Sequence, residues 1–271
     1  MPGLQTATLE GWAIRSQGMP GDHTYVISSC GLRWGCWGRS SGGTRLGAGT
    51  GSSIIADCLS QPNSTAGIRY GFTGVCHQTS NRILHPASPL SVAGCRNYAV
   101  SAFMYGPYGK GTWPERFMCY AIGMNNAQSD VNEPQQSDNM TTKDAYDRVI
   151  SSSHVTSDGG RASPIAELSA LVELGLGNQL DEKTFYALLK IKINLDTHQE
   201  ALTVLFDQGR ITQEVYLQQV NLELQSSMDQ SHRLLGEDRF LAIFGTAGLE
   251  PQCLIDRDTF LSHAQPKSEQ A

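Results

Sequence analysis

Residues Tyr70–Pro86 read YGFTGVCHQTSNRILHP: a glycine-rich approach, a cysteine, and an apolar-periodic segment closed by proline. The pattern predicts a helix that opens near Gly74 or Val75 and stops at His85-Pro86, because the residue before a proline is biased away from helical geometry. On that helix Val75, Thr79, Ile83 and Leu84 make the core-facing stripe, while Cys76 and Ser80 lie one turn apart on another face. Cys76 then occupies the first turn, where unpaired backbone N–H groups and the positive end of the helix dipole favour a thiolate. The same N–H groups suit an oxyanion, so one element offers a nucleophile and part of an oxyanion hole. The competing expectation is a small, buried, apolar cysteine.

Upstream of this stretch, Gly11–Arg15 reads as a short strand and GMPGD, residues 18–22, as a turn. HTYVISS, residues 23–29, alternates and carries aromatic and β-branched residues, which predicts a strand, with a second strand over Leu32–Trp37. His23 therefore stands at the mouth of a hairpin, where its ring can face a cleft. Gly38–Ser53, GRSSGGTRLGAGTGSS, reads as a flexible loop or mobile flap ahead of a short helix, Ser53–Leu59. A phosphate cradle is the weaker alternative there, since the G-K-[ST] ending and the preceding apolar strand are missing. Val92–Tyr105 fits either two strands or one helix from Gly94 to Met104, and Arg116–Met124 fits a buried strand. Cys95 and Cys119 are expected in the core.

A histidine on a strand that precedes a helix-borne cysteine is an order similar to the circularly permuted branch of the NlpC/P60, papain-like superfamily. The resemblance spans roughly residues 10–124 and is carried by His23 in GDHTYV and Cys76 in TGVCHQTSNRIL. It implies an α+β, papain-like N-terminal domain with an antiparallel sheet and a cysteine-bearing helix. It also implies catalysis by Cys76 as nucleophile and His23 as general base. A third polar residue orients the imidazole in such enzymes; Asn97 is the candidate and Asp57 the alternative. His77 is a further candidate base, but neighbours on a helix diverge by about 100°. The chain departs from the permuted families in lacking an N-C-x-H-F sequence and a second histidine soon after His23.

The remainder of the chain is of another kind. Asn125–Ala162 is polar and poor in aromatic residues, which predicts a linker with one short helix around Thr142–Ile150. From Ser163 the sequence is leucine-rich and helical: Ser163-Pro164 opens one helix, Asp181–Leu195 a second, Thr197–Asp207 a third, Thr212–Leu235 a fourth and Gly236–Phe244 a fifth. The expected organisation is thus a papain-like α+β domain at 1–124, a linker at 125–162, an all-α domain at 163–263 and a disordered tail at 264–271. The amphipathic helices need partners: each other, the first domain or another chain, with residues 163–245 as a surface for self-association or a protein partner.

Composition narrows the function classes. The 271 residues are 39% hydrophobic and carry a net charge of −6, enough apolar residue for real cores and the wrong sign for a nucleic-acid binder. No apolar run spans a bilayer, and the start lacks a signal-peptide pattern, so a cytoplasmic protein is expected. Seven cysteines without a C-x-x-C pair point to reduced thiols. The leading expectation is a cofactor-free cysteine enzyme that forms a thioester at Cys76 and acts on a small-molecule or peptide acyl substrate by hydrolysis or acyl transfer. The alternative is a non-catalytic binding or assembly protein whose helical region recognises a partner. A metal site drawn from Cys30, Cys36, Cys58, Cys76 and His77 is the third.

Overall fold

The structure, a computed structural model, describes residues 6–15, 21–60, 64–110, 113, 163–177 and 179–264. Cys119, the strand expected at Arg116–Met124, the linker helix and the tail beyond Ala264 lie outside the described residues. Four strands, β1 (Thr6–Arg15), β2 (Asp22–Ser28), β3 (Arg33–Trp34) and β4 (Thr44–Ser52), form one antiparallel sheet in the order β3-β2-β1-β4. In β1 the alternation of TATLEGWAIR buries Ala7, Leu9, Gly11 and Ala13 on one face, the period of two that a half-covered sheet imposes. Gly11 lies where a Cβ would stand 3.2 Å from Leu84 and Val92. The second strand of the expected hairpin shortens to Arg33–Trp34, because Trp37 takes a left-handed φ of 57° and ends the extended run.

The glycine-rich segment corrects the sequence expectation. Residues 44–52 are a strand paired along β1, with one register shift between Gly11 and Trp12, neither a loop nor a cradle. Gly47, Gly49 and Gly51 share one face, and that face lies directly on the chain after the next helices: a Cβ at Gly49 would come within 3.0 Å of the Ala87 carbonyl, and one at Gly51 within 2.7 Å of the Pro86 main chain. The spacing of two between these glycines was the strand signal, and close approach of two backbones is why the residues are small.

Eight α-helices complete the described fold: α1 (Ser53–Ser60), α2 (Cys76–Leu84), α3 (Tyr98–Tyr105), α4 (Pro164–Leu176), α5 (Glu182–Asp207), α6 (Gln213–Leu235), α7 (Glu237–Phe244) and α8 (Arg257–His263). The class is mixed α+β. Side-chain caps start the C-terminal helices where the sequence places them: Ser163 Oγ accepts from the Ala166 N–H, Asp181 Oδ1 from Thr184 and Thr212 Oγ1 from Val215. The two helices expected over 181–207 are one continuous helix, α5. Its apolar stripe is interrupted at Lys192, Asp196 and Gln199, three polar residues at i, i+4 and i+7 that are themselves buried. Lys192 Nζ lies 3.1 Å from Glu167 and donates to the Phe103 carbonyl at 2.7 Å; Lys110 Nζ lies 2.8 Å from Asp196.

The helical region packs on the first part of the chain. One apolar cluster runs from Leu9 and Val26 of the sheet through Phe72 and Phe103 to Leu188, Tyr216 and Phe260. Phe72 is its aromatic junction, with ring centroids 4.9 Å from Phe206, 4.5 Å from Tyr216 and 5.2 Å from Phe260. Beside it the Arg69 guanidinium grips Asp207 at 2.7 and 3.0 Å. No helix among the described residues is long and apolar enough to cross a membrane.

The strand assignment of the glycine segment yields a stability prediction. Gly51→Ala forces two main chains apart and lowers unfolding free energy by about 1–3 kcal/mol. Ala48→Val, on the exposed face of β4, leaves it nearly unchanged. Urea unfolding midpoints of the two variants give the comparison.

Candidate active site

Cys76 is the first residue of α2, one position later than the sequence pattern suggests. Val75 is the N-cap, and the Gln78 side chain reaches back to accept from the Val75 N–H at 3.0 Å. That capping bond requires Gly74, where a Cβ would stand 2.9 Å from the Gln78 Cβ. The helix lies across β2, so the half-buried thiol faces the start of that strand, 3.9 Å from the Asp22 carbonyl.

His23, the second residue of β2, comes to the same place from the sheet. Its ring packs flat against the chain at Gly38, where an added Cβ would lie 2.8 Å from it. Nε2 of His23 is buried and has no hydrogen-bond partner among the described residues. Burial lowers the pKa of the ring from its ordinary value, while a hydrogen bond with the Arg39 main chain acts in the opposite direction. Cys76 moves the other way: burial pushes the thiol up, and Thr24 together with the N–H groups of His77 and Cys76 offsets this only in part. The surroundings thus favour a neutral thiol and a neutral imidazole. The preformed thiolate expected from the helix start alone is corrected, because desolvation outweighs the helix-terminal N–H groups.

A cavity of about 230 Å³ joins these groups. His23 and Cys76 line it together with Asn97, Trp37 and Tyr70, and the chain from Cys253 to Thr259 forms the opposite wall. Trp37 and Tyr70 meet at a tilt of 54° with 4.9 Å between centroids, and the Tyr70 hydroxyl accepts from the Asp256 N–H at 3.0 Å, which ties the wall down. Asn97 sits immediately before α3 at a left-handed φ of 67°, a conformation its short side chain tolerates. Arg96 fixes that corner: its main-chain N–H and Nε both donate to the Asp22 carboxylate, at 3.0 and 2.8 Å.

Three of the four sequence-derived candidates, Cys76, His23 and Asn97, meet at this cavity. Asp57 does not line it; on α1 its Oδ1 accepts from Trp34 Nε1 at 2.9 Å. Asn97 does not hydrogen-bond to His23, since its Oδ1 and the Nε2 of the ring both lack partners. His77 has both ring nitrogens engaged: Nε2–H donates to the Asp22 carbonyl at 3.0 Å, and Nδ1 meets Ser101 Oγ at 2.8 Å. Among the aromatic residues of this part of the chain, Trp37 and Tyr70 line the cavity, whereas Trp34 and Tyr105 are core residues. No cluster of three or more His, Cys, Asp or Glu able to hold a metal exists among the described residues, so the cysteines proposed as ligands are not gathered. The far wall was missed in the sequence. Its only local signal is Asp256 ahead of Arg257–His263, a helix cap that accepts from Thr259 N–H at 2.8 Å. No family model, curated protein or solved structure matches the chain.

His77 makes the site's scaffold sensitive to acid. Burial lowers its pKa from 6.5 to about 4. The unfolded chain therefore binds the proton first, and the stability held above pH 6.5 is lost as pH falls toward 4, by up to about 3 kcal/mol. In His77→Gln the melting temperature is lower at neutral pH, but its slope between pH 6.5 and 4 is reduced; thermal melts across that range check the sign.

Proposed function

We propose that the protein is a cysteine-dependent acyl-transfer enzyme, with Cys76 as nucleophile and His23 as general base. The observation that carries this reading is the Nε2 of His23, a residue of the cavity that Cys76 also lines: it is buried and has no hydrogen-bond partner among the described residues. A buried lone pair without a partner is costly, and a thiol proton is what a neutral imidazole can accept. Further support comes from the topology: an antiparallel sheet, a strand-borne histidine and a later helix with cysteine at its first turn, the arrangement the permuted papain-like resemblance implies.

In the reaction, the Cys76 proton moves to Nε2 as sulfur bonds to the acyl carbon and the carbonyl becomes an oxyanion. The N–H groups of the first turn of α2 face that charge. Collapse breaks the bond to the leaving group, which takes the proton from the imidazolium and leaves a Cys76 thioester. Water, or an amine acceptor, then gives its proton to His23 and attacks the thioester, and the thiolate recovers the proton. The imidazole is oriented by Gly38 and the Arg39 main chain rather than by a side-chain amide. A second reading, partner recognition by the helical region, draws on exposed Tyr186, Ile193, Val204 and Leu222 along α5 and α6.

Incubation with p-nitrophenyl acetate followed by peptide mass mapping tests the enzyme reading. Acetylation is expected at Cys76 alone, and His23→Gln, checked for a native circular dichroism spectrum, slows it by roughly 10²–10⁴-fold. Acetylation spread over several cysteines, or unaffected by the substitution, overturns the proposal. Because the base must be neutral and its pKa is lowered by burial, the acid limb of the pH–rate profile lies below pH 6.5.

A further inference from the structure

Helix α5 carries a second periodic pattern on the face turned away from the core. Tyr186, Lys190, Ile193, Thr197, Glu200 and Val204 follow one another at alternating steps of four and three residues, the spacing that keeps side chains on one stripe where two helices pack along their length. All six are exposed, and the large apolar members strongly so: Tyr186 at 54%, Ile193 at 42% and Val204 at 53%. On the opposite face Leu188, Leu195 and Phe206 are buried and hold the helix to the rest of the fold. Lys190 and Glu200 enter no ion pair among the described residues. Thr197 donates its hydroxyl to the Ile193 carbonyl at 2.9 Å, one turn back, so that group makes no demand on a neighbour.

The stripe is complementary to itself. Turned end for end about the level of Leu195, it sets Tyr186 against Val204, Lys190 against Glu200 and Ile193 against Thr197, and a two-fold axis makes each match occur twice. Apolar groups then meet apolar groups or a methyl, and each cation meets an anion. A parallel pair in register sets Lys190 beside Lys190 and Glu200 beside Glu200 instead, which like-charge repulsion disfavours. We infer that the exposed stripe of α5 is a self-association surface, through which two copies of this chain pair antiparallel about a two-fold axis at the level of Leu195. From Tyr186 to Val204 the stripe is about 27 Å long, at the small end for a protein interface, so the dimer is weak and reversible. The pairing does not depend on the acyl-transfer reading, since none of the six residues lines the cavity at Cys76.

Sedimentation velocity of the full chain in low-salt buffer, from about 1 μM to about 500 μM, reads the monomer–dimer equilibrium. The wild type is expected to dimerise within this range. Lys190→Glu brings two negative charges together at each copy of the pair and Glu200→Lys two positive ones, so each substitution raises the dissociation constant at least about tenfold. The double variant Lys190→Glu/Glu200→Lys restores opposite charges and with them the dimer. An equimolar mixture of the two single variants does the same, because every negative side chain of one then faces a positive one of the other. Both positions are exposed, and an unchanged circular dichroism spectrum confirms that the fold is kept. A wild-type chain that stays monomeric throughout overturns the proposal and leaves the stripe to a different partner. A dimer indifferent to the single reversals uses another face and overturns it too, as do reversals that neither the double variant nor the mixture repairs.

Discussion

The structure depends on the burial of α2, a helix held in place by hydrogen bonds more than by apolar contact. Eight of its nine residues, His77 through Leu84, are buried, and six of those are polar. These polar side chains are hydrogen-bonded to their surroundings, several of them to irregular backbone. Gln78 donates to the Gly106 carbonyl, Asn81 donates to Pro107 O and accepts from Val92 N–H, and Ser80 bonds Thr24 on β2. The guanidinium of Arg82 donates to Tyr108 O at 2.6 Å and Ala66 O at 2.7 Å and lies over the Trp113 ring. A buried carbonyl without a donor costs about 1–3 kcal/mol, so α2 supplies what the neighbouring loops cannot supply to themselves. Rigidity of the site follows, because the first residue of this fully anchored helix is Cys76.

The same device recurs one layer out. Lys192, Asp196 and Gln199 on α5 hold the Phe103 carbonyl, Lys110 and the Phe72 carbonyl, all on the segments that flank the site. Buried ion pairs of this kind contribute little net stability but penalise any other arrangement once the apolar surfaces have met. The C-terminal helices thereby act as a frame for the N-terminal part, and the cavity at Cys76 draws walls from the two parts together.

What was legible in the sequence follows from these forces. Wherever one signal dominated, as in the alternation of β2, the Ser163-Pro164 cap or the helix before Pro86, the element stands close to where it was expected, and Cys76, His23 and Asn97 share a cavity. Legibility failed where tertiary contact set the residue type. Gly47, Gly49 and Gly51 look like a flexible loop because their reason for being small lies on Pro86, Ala87 and Leu90, far along the chain. Asp196 looks like a break in a helix because a buried charge resembles an exposed one until its partner is known. The thiol's protonation departs from the sequence pattern for a related reason: a helix start is visible in a sequence, but the depth of burial around it is not.

The cavity wall formed by Cys253–Thr259 sets the order in which the molecule acquires its chemistry. During synthesis Cys76 leaves the ribosome well before Asp256, which binds Tyr70, and Phe260, which packs on Phe72. Until they arrive, His23 and Cys76 have no enclosed space in common, and the walls that exclude water are incomplete. Under the acyl-transfer proposal Cys76 is therefore chemically idle until this wall has folded, and completion of the fold serves as the activation step.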